Sequence, residues 1–393
     1  MPPAYLARVT ETVAQVFFDS TSGEPLLSEA RRAWDLGSTA GWGDPLRLHG
    51  PGRRAAQALD EARAVVAEAV GARADEVIFT GPPPGTAYAA VAGLLRGRRR
   101  VGPVVVTSTV EHSSVLAAAQ TWGEHRAVPV DRLGRIDLDR WRTAVSEPGV
   151  ALACLQVANH EVGTLQPYAG AAAACRQADV PLVLDATTAL GRLDTRDLGH
   201  WSVLLGWAGA FGGPVSVGLM VLRRRVRWRA PYPVDDYQDG RWPGPIDVPA
   251  VHATAAALTQ SLRDRAAVGA RQHALVDRLR RGVAASVPDV DLVGHPVDRV
   301  PHLLTFSALY VDGETLTLEL DRAGFAVASG SACSASSEHP SHVLAAMGLL
   351  THGNVRIGLT RRSSAGEVEA FLAVLPEVVA GIRARLGAPG SHP

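Results

Sequence analysis

The sequence predicts an α/β chain, with a large, doubly wound, mainly parallel sheet domain followed by a smaller α+β unit. Three observations predict it. Short, almost wholly apolar runs recur between residues 25 and 250, as expected for strands of a parallel sheet covered on both faces. Helical spacing fills the intervals between them, the alternation that βαβ units need. Beyond a turn-rich stretch at 230–247, the pattern changes to one long helical region and then to strands separated by helical segments. At 393 residues and 47% hydrophobic content, the chain can bury a large core.

Taken in order, Leu59, Ala62, Val66 and Val70 recur at helical spacing, and Gly71 supplies the stop. The runs at 77–80 (VIFT), 104–108 (VVVTS), 151–159 (ALACLQVAN) and 181–187 (PLVLDAT) read as buried strands. Val203 to Leu222 is apolar for about the length of a membrane span. Five glycines and Pro214 interrupt it, so it reads as two strands around a Gly-rich turn, not as a membrane helix. A helix follows at about 249–286, then the strands HLLTFSAL, FAVASG and NVRIGLT. These boundaries divide the chain into a large domain at 21–250 and a small one at 251–393 that also takes in residues 1–20.

The 39 basic side chains are all arginine and balance 39 acidic ones. That balance argues against nucleic acid or an anionic membrane as a partner. The runs RGRRR (96–100) and RRRVRWR (223–229) then read as solvated faces or protein contacts. Three cysteines, Cys154, Cys175 and Cys333, are too few and too odd for a disulfide framework, which fits a reducing cytoplasm. The first residues lack the order of a signal peptide. The sequence contains no lysine, hence no side-chain amine.

Five stretches carry chemistry in a fixed order: TSTVEHSSVL (107–116), VANHEVGTLQP (157–167), LVLDATTALG (182–191), FGGPVSVGLMVLRR (211–224) and SGSACSASSEHPSHVLAAMG (329–348). Together they resemble the cysteine desulfurase branch of the class-V aminotransferases, over most of the chain from Phe17 to Leu375. The resemblance implies the fold of the fold-type-I pyridoxal-phosphate transferases and a homodimer. It gives roles residue by residue. His112 matches the imidazole that stacks on the cofactor ring and moves protons. Asp185 matches the carboxylate that keeps the pyridine nitrogen protonated, and Asn159 the residue that bonds the cofactor's phenolic oxygen. Arg356 matches the clamp for the substrate carboxylate, a task that suits a planar guanidinium. Cys333 matches the thiol that takes sulfur from the substrate as a persulfide. Bland readings stand beside these: Asp185 as a cap, Arg356 as a structural ion pair, His112 as a loop histidine.

The same resemblance exposes four departures. The Ser-x-His-Lys segment before the Gly-Gly-Pro turn reads GWAGAFGGP (206–214), so Gly209 stands for the histidine and Ala210 for the Schiff-base lysine. The phosphate-binding turn reads TGPPPGTA (80–87), and Pro82, Pro83 and Pro84 have no backbone N–H to offer an anion. Thr188 replaces a glutamine three residues past Asp185. FFDSTSGEP (17–25) has lost a small Ala-Ala-Thr-Thr run. The expectation drawn from these is a site without a covalent cofactor, with pyridoxal phosphate at most a weak non-covalent ligand. Ordinary desulfuration is then not expected. Sulfur handling through Cys333 leads the functional readings. The alternatives are a non-catalytic partner of an active desulfurase or of a sulfur-acceptor protein, and a biosynthetic enzyme that reuses the cleft.

Overall fold

The computed structural model describes residues 15–329 and 340–387. After a short strand β1 (Val16–Phe17), seven strands build the main sheet. They are β2 (Val77–Thr80), β3 (Val104–Ser108), β4 (Glu124–Val128), β5 (Val150–Gln156), β6 (Leu182–Asp185), β7 (Val203–Trp207) and β8 (Gly218–Leu222). Their order is β2-β8-β7-β6-β5-β3-β4. Strands β3 to β7 run parallel, and β8 lies antiparallel to both of its neighbours. The α/β architecture read from the apolar runs is therefore present. Val203 to Leu222 forms two strands, β7 and β8, as its glycines require.

Helix Gly50–Val70 buries Leu59, Ala62, Val66 and Val70 on one face. It ends at Gly71, whose φ of 62° is the left-handed conformation glycine reaches without penalty. The 151–159 run differs from its reading. Strand β5 stops at Gln156 because the Asn159 side chain turns the chain: its Oδ1 accepts the N–H groups of Glu161 and Val162, both at 2.8 Å. An antiparallel bridge between Ala158 and Leu165 closes that turn.

The long helix Val248–Ser286 ties two cores together. Its first half places Ala250 to Leu258 in the core beneath the main sheet, against helices Ser28–Ala40 and Gly50–Val70. Its second half gives Leu275, Val276, Leu279 and Val283 to another core. The remaining strands are β9 (Val290–Val293), β10 (Leu303–Ala308), β11 (Phe325–Ala326) and β12 (Asn354–Gly358). The second core lies under an antiparallel sheet in the order β12-β10-β9, packed by helix Ala365–Arg385. Strand β1 pairs in parallel with β11, and Asp19 bridges to Gly358. The N-terminal segment 19–22 is thereby held beside β12. Among the described residues, no helix is long and apolar enough to cross a membrane.

Candidate functional site

A cavity of about 320 Å³ opens where β5, β6 and β7 end and meet segment 20–22 and β12. The C-terminal edge of a parallel sheet is where such folds present ligand-binding groups, because the chain leaves every strand there in a loop or helix start. His112, Asp185, Thr188, Ala210 and Arg356 all line this one cavity. Asn159 does not. It is fully buried, with Nδ2 donating to the Val110 carbonyl at 3.0 Å and Oδ1 occupied by the turn. Its neighbours Ala158 and His160 reach the cavity wall instead. Cys333 lies outside the described residues.

His112 caps helix Ser113–Trp122: its Nδ1 accepts from the Ser114 N–H at 3.2 Å. In the neutral ring this leaves the proton on Nε2. Burial pushes the His112 pKa below its ordinary value. Asp185 opposes that shift, and His342 and Arg356 add to it. A neutral imidazole with one committed nitrogen suits proton transfer through the other. Asp185 ends β6 half-buried, and its Oδ1 accepts the Thr187 N–H at 2.9 Å. Gln156 is anchored behind these groups, donating to the Val110 carbonyl at 2.7 Å. Arg356 is 3% exposed, with Nη2 3.9 Å from Asp19 and Nε without a partner.

Sequence reasoning passed over several groups that the fold gathers here. His160 lies with its ring 4.9 Å from that of His112 and 6.4 Å from that of His342. Both its ring nitrogens lack partners, and burial holds it neutral. It stands next to Asn159 inside a quoted motif, so its position was readable, although its orientation was not. Glu161 is buried and receives the Ser341 hydroxyl at 2.7 and 2.8 Å; burial raises its pKa to about 7. Cys154 and Cys175 are buried, and burial pushes both thiols up, Cys175 to about 12, so neither is a thiolate near neutrality.

The departures have physical correlates. A Cβ on Gly209 would fall 2.4 Å from the Trp207 ring, so a side chain there would force the indole or the backbone to move. Trp207 is fixed by its Nε1 donating to Val215 at 2.8 Å. Helix Pro83–Gly97 begins in the proline turn, and its first N–H groups, on Gly85 and Thr86, turn back to the Pro82 carbonyl at 3.1 and 3.5 Å. The Thr86 hydroxyl meets Thr80 at 2.6 Å.

Comparisons with known proteins show the family and the fold. The class-V aminotransferase family model matches residues 35–228 and 243–371. A cysteine desulfurase of Cereibacter sphaeroides is 35% identical over 384 residues, covering 94% of this chain and 97% of its own. Cysteine desulfurase NifS of Azotobacter vinelandii is 30% identical over 382 residues, with 94% of each covered. Among solved structures, a NifS-like protein superimposes with a TM-score of 0.87 at 22% identity, over 93% of this chain and 100% of the other. That likeness shows the fold.

One expectation is corrected. The sequence departures suggested a site without a covalent cofactor and with pyridoxal phosphate only weakly held. The match to cysteine desulfurases along nearly the whole chain overturns this, because covalently held pyridoxal phosphate goes with that family. The physical reason is visible in the cleft: neither Trp207 nor the proline turn fills it, and a cavity remains with Asp185 and His112 on its wall. The residue count stands, with Ala210 where the lysine is expected. The step from that count to a cleft that holds pyridoxal phosphate only weakly does not. Asp185 and His112 fit the ring of such a group. The turn at Pro82–Pro84 offers its phosphate fewer N–H donors than an ordinary helix start.

Proposed function

The chain belongs to the class-V aminotransferase family, and from that premise we propose that it handles the sulfur of a small amino acid in this cleft, as a cysteine-desulfurase-like protein. The observation that carries the reading is the convergence of His112, Asp185 and Arg356 on one cavity at the strand ends. Arg356 takes the substrate carboxylate in its planar fork. His112 moves protons through Nε2, a role that falls to imidazole because no side-chain amine exists. Asp185 holds a protonated ring nitrogen, and pyridoxal phosphate, when bound, supplies the electron sink. Cys333 receives the sulfur. The exchange balances: cysteine and a thiol give alanine and a persulfide.

The family further suggests a homodimer and a sulfur-acceptor partner. The test incubates purified protein with cysteine and pyridoxal phosphate, then follows alanine release and the mass of the peptide containing Cys333. One added sulfur on that peptide, absent in Cys333→Ser, is the expected result. No sulfur on Cys333 and no alanine would refute the reading. The absence of lysine favours a second reading, a partner that works beside a lysine-bearing homologue. Co-purification with such a homologue, without persulfide on this chain, would select it.

A further inference from the structure

The structure assigns Ser114 as a positioning residue for His112: its hydroxyl donates to Nδ1 and, with the Ser114 backbone N–H, holds the neutral ring with its proton on Nε2. What that proton is used for rests on the sulfur-handling reading; the tautomer itself does not.

Ser114 Oγ lies 2.8 Å from His112 Nδ1, and the Ser114 N–H reaches the same nitrogen at 3.2 Å. A hydroxyl can donate or accept, but a backbone N–H only donates. That fixed donor makes Nδ1 the acceptor in the neutral ring. The hydroxyl proton must then point at Nδ1 as well, and the ring proton is left on Nε2. Nδ1 is thus engaged twice, whereas Nε2 makes no hydrogen bond among the described residues. Both residues line the cavity.

The arrangement follows from where the two residues stand. His112 is the N-cap of helix Ser113–Trp122, a place where a short oxygen-bearing side chain usually accepts from the first turn. Here an imidazole nitrogen does so. The first-turn N–H groups carry the positive end of the helix dipole, which opposes a proton on the nitrogen that faces them. The hydroxyl of Ser114, at the second helical position, adds a second hold on the ring. An alanine there would leave the ring on the single, longer bond to the N–H.

The charges around the ring do not make this choice. Asp185, at the end of β6, favours the protonated ring. His342, on helix His342–Ala346, and Arg356, on β12, oppose it. His160, after β5, stands ring to ring with His112 at 4.9 Å and is itself held neutral by burial. These groups and burial act on the ring's total charge. The two donors of Ser114 act on Nδ1 and so select the nitrogen.

The test follows the ring 15N shifts of full-length, 15N-histidine-labelled protein at a pH where His112 is neutral. Its signals are identified among thirteen histidines by their loss in His112→Gln. Wild type should show a protonated Nε2 and a hydrogen-bonded, unprotonated Nδ1. In Ser114→Ala the Nδ1 shift should move toward that of a free ring nitrogen, and the tautomer with the proton on Nδ1 should appear. Ser114→Thr keeps the hydroxyl and should restore the wild-type shifts. Alanine is a good helix former, so Ser114→Ala keeps the helix. With cysteine and pyridoxal phosphate, Ser114→Ala should release alanine with kcat lowered by about three- to ten-fold and KM unchanged, since a misplaced proton donor affects the chemical step. A Ser114→Ala protein with wild-type 15N shifts would overturn the assignment, as would a wild-type ring with its proton on Nδ1. If wild type releases no alanine, the sulfur-handling reading falls, and the shifts alone decide the role of Ser114.

Discussion

The cleft has two unlike walls. On one, where β5 and β6 end, polar groups bond to the backbone, Gln156 to Val110, Asp185 to Thr187 and His112 to Ser114, although the His160 ring beside them has no hydrogen-bond partner. On the other, two arginines are held beside carboxylates distant in the chain, Arg192 Nη2 by Glu24 at 2.9 Å and Arg356 Nη2 near Asp19 at 3.9 Å. The difference teaches what sets the shape of each wall. The first is held by hydrogen bonds to backbone groups. The second is held by ion pairs between distant segments, whose buried charges are tolerated only while paired.

The largest effect that would break this comparison comes from the Glu24–Arg192 pair, whose side chains are 2% and 4% exposed. Arg192→Gln leaves Glu24 buried without its guanidinium, a loss of about 3–5 kcal/mol in stability. Removing both partners should recover most of that, since no lone charge remains. Urea denaturation of wild type, the single variant and the double variant measures it. A single variant as stable as wild type would mean that the wall is wet and its charges are hydrated.

A smaller effect lies at the departure beside Ala210. Gly209→His drives a Cβ to 2.4 Å from the Trp207 ring and should cost about 1–3 kcal/mol by overpacking. Pairing it with Trp207→Ser should remove most of that cost. A Gly209→His protein with unchanged Tm would show that the indole moves freely and that the two positions are independent.

The sequence carried one wall better than the other for the same physical reason. Apolar runs and helical spacing report burial directly, so β2, β3, β7 and β8 were readable to within a residue or two. Strand β4 was not, because Glu124, His125 and Arg126 lie at the sheet edge, where the strand carries charge. Asp185, His112 and Arg356 could be found from short motifs around strand ends. Arg192 and His302 could not: an arginine after Gly191 and a lone histidine before β10 look like surface and core. Only the fold brings Glu24 across 168 positions to define what Arg192 does. Asn159 shows the converse. Its motif was legible, yet the fold spends the side chain on the turn after β5 rather than on the cavity.

The last prediction concerns Glu161, next to the cavity-lining His160, where Ser341 Oγ donates to the Glu161 carboxylate and the Thr305 hydroxyl donates to the Glu161 carbonyl at 2.6 Å. Burial raises the Glu161 pKa from 4.5 to about 7, against the opposing pull of Ser341 and Arg356. Between those two values the folded chain keeps a proton that the unfolded chain releases. The contribution of protonated Glu161 is therefore fully present below pH 4.5 and is lost as pH rises through about 7. The slope is at most about 1.4 kcal/mol per pH unit. Glu161→Gln keeps the shape and cannot titrate, so its Tm should fall less than that of wild type between pH 5 and pH 8. Parallel Tm curves for the two proteins would place the ionised carboxylate in the fold at both pH values, and Glu161 would then count with the ion pairs, through its neighbour Arg356.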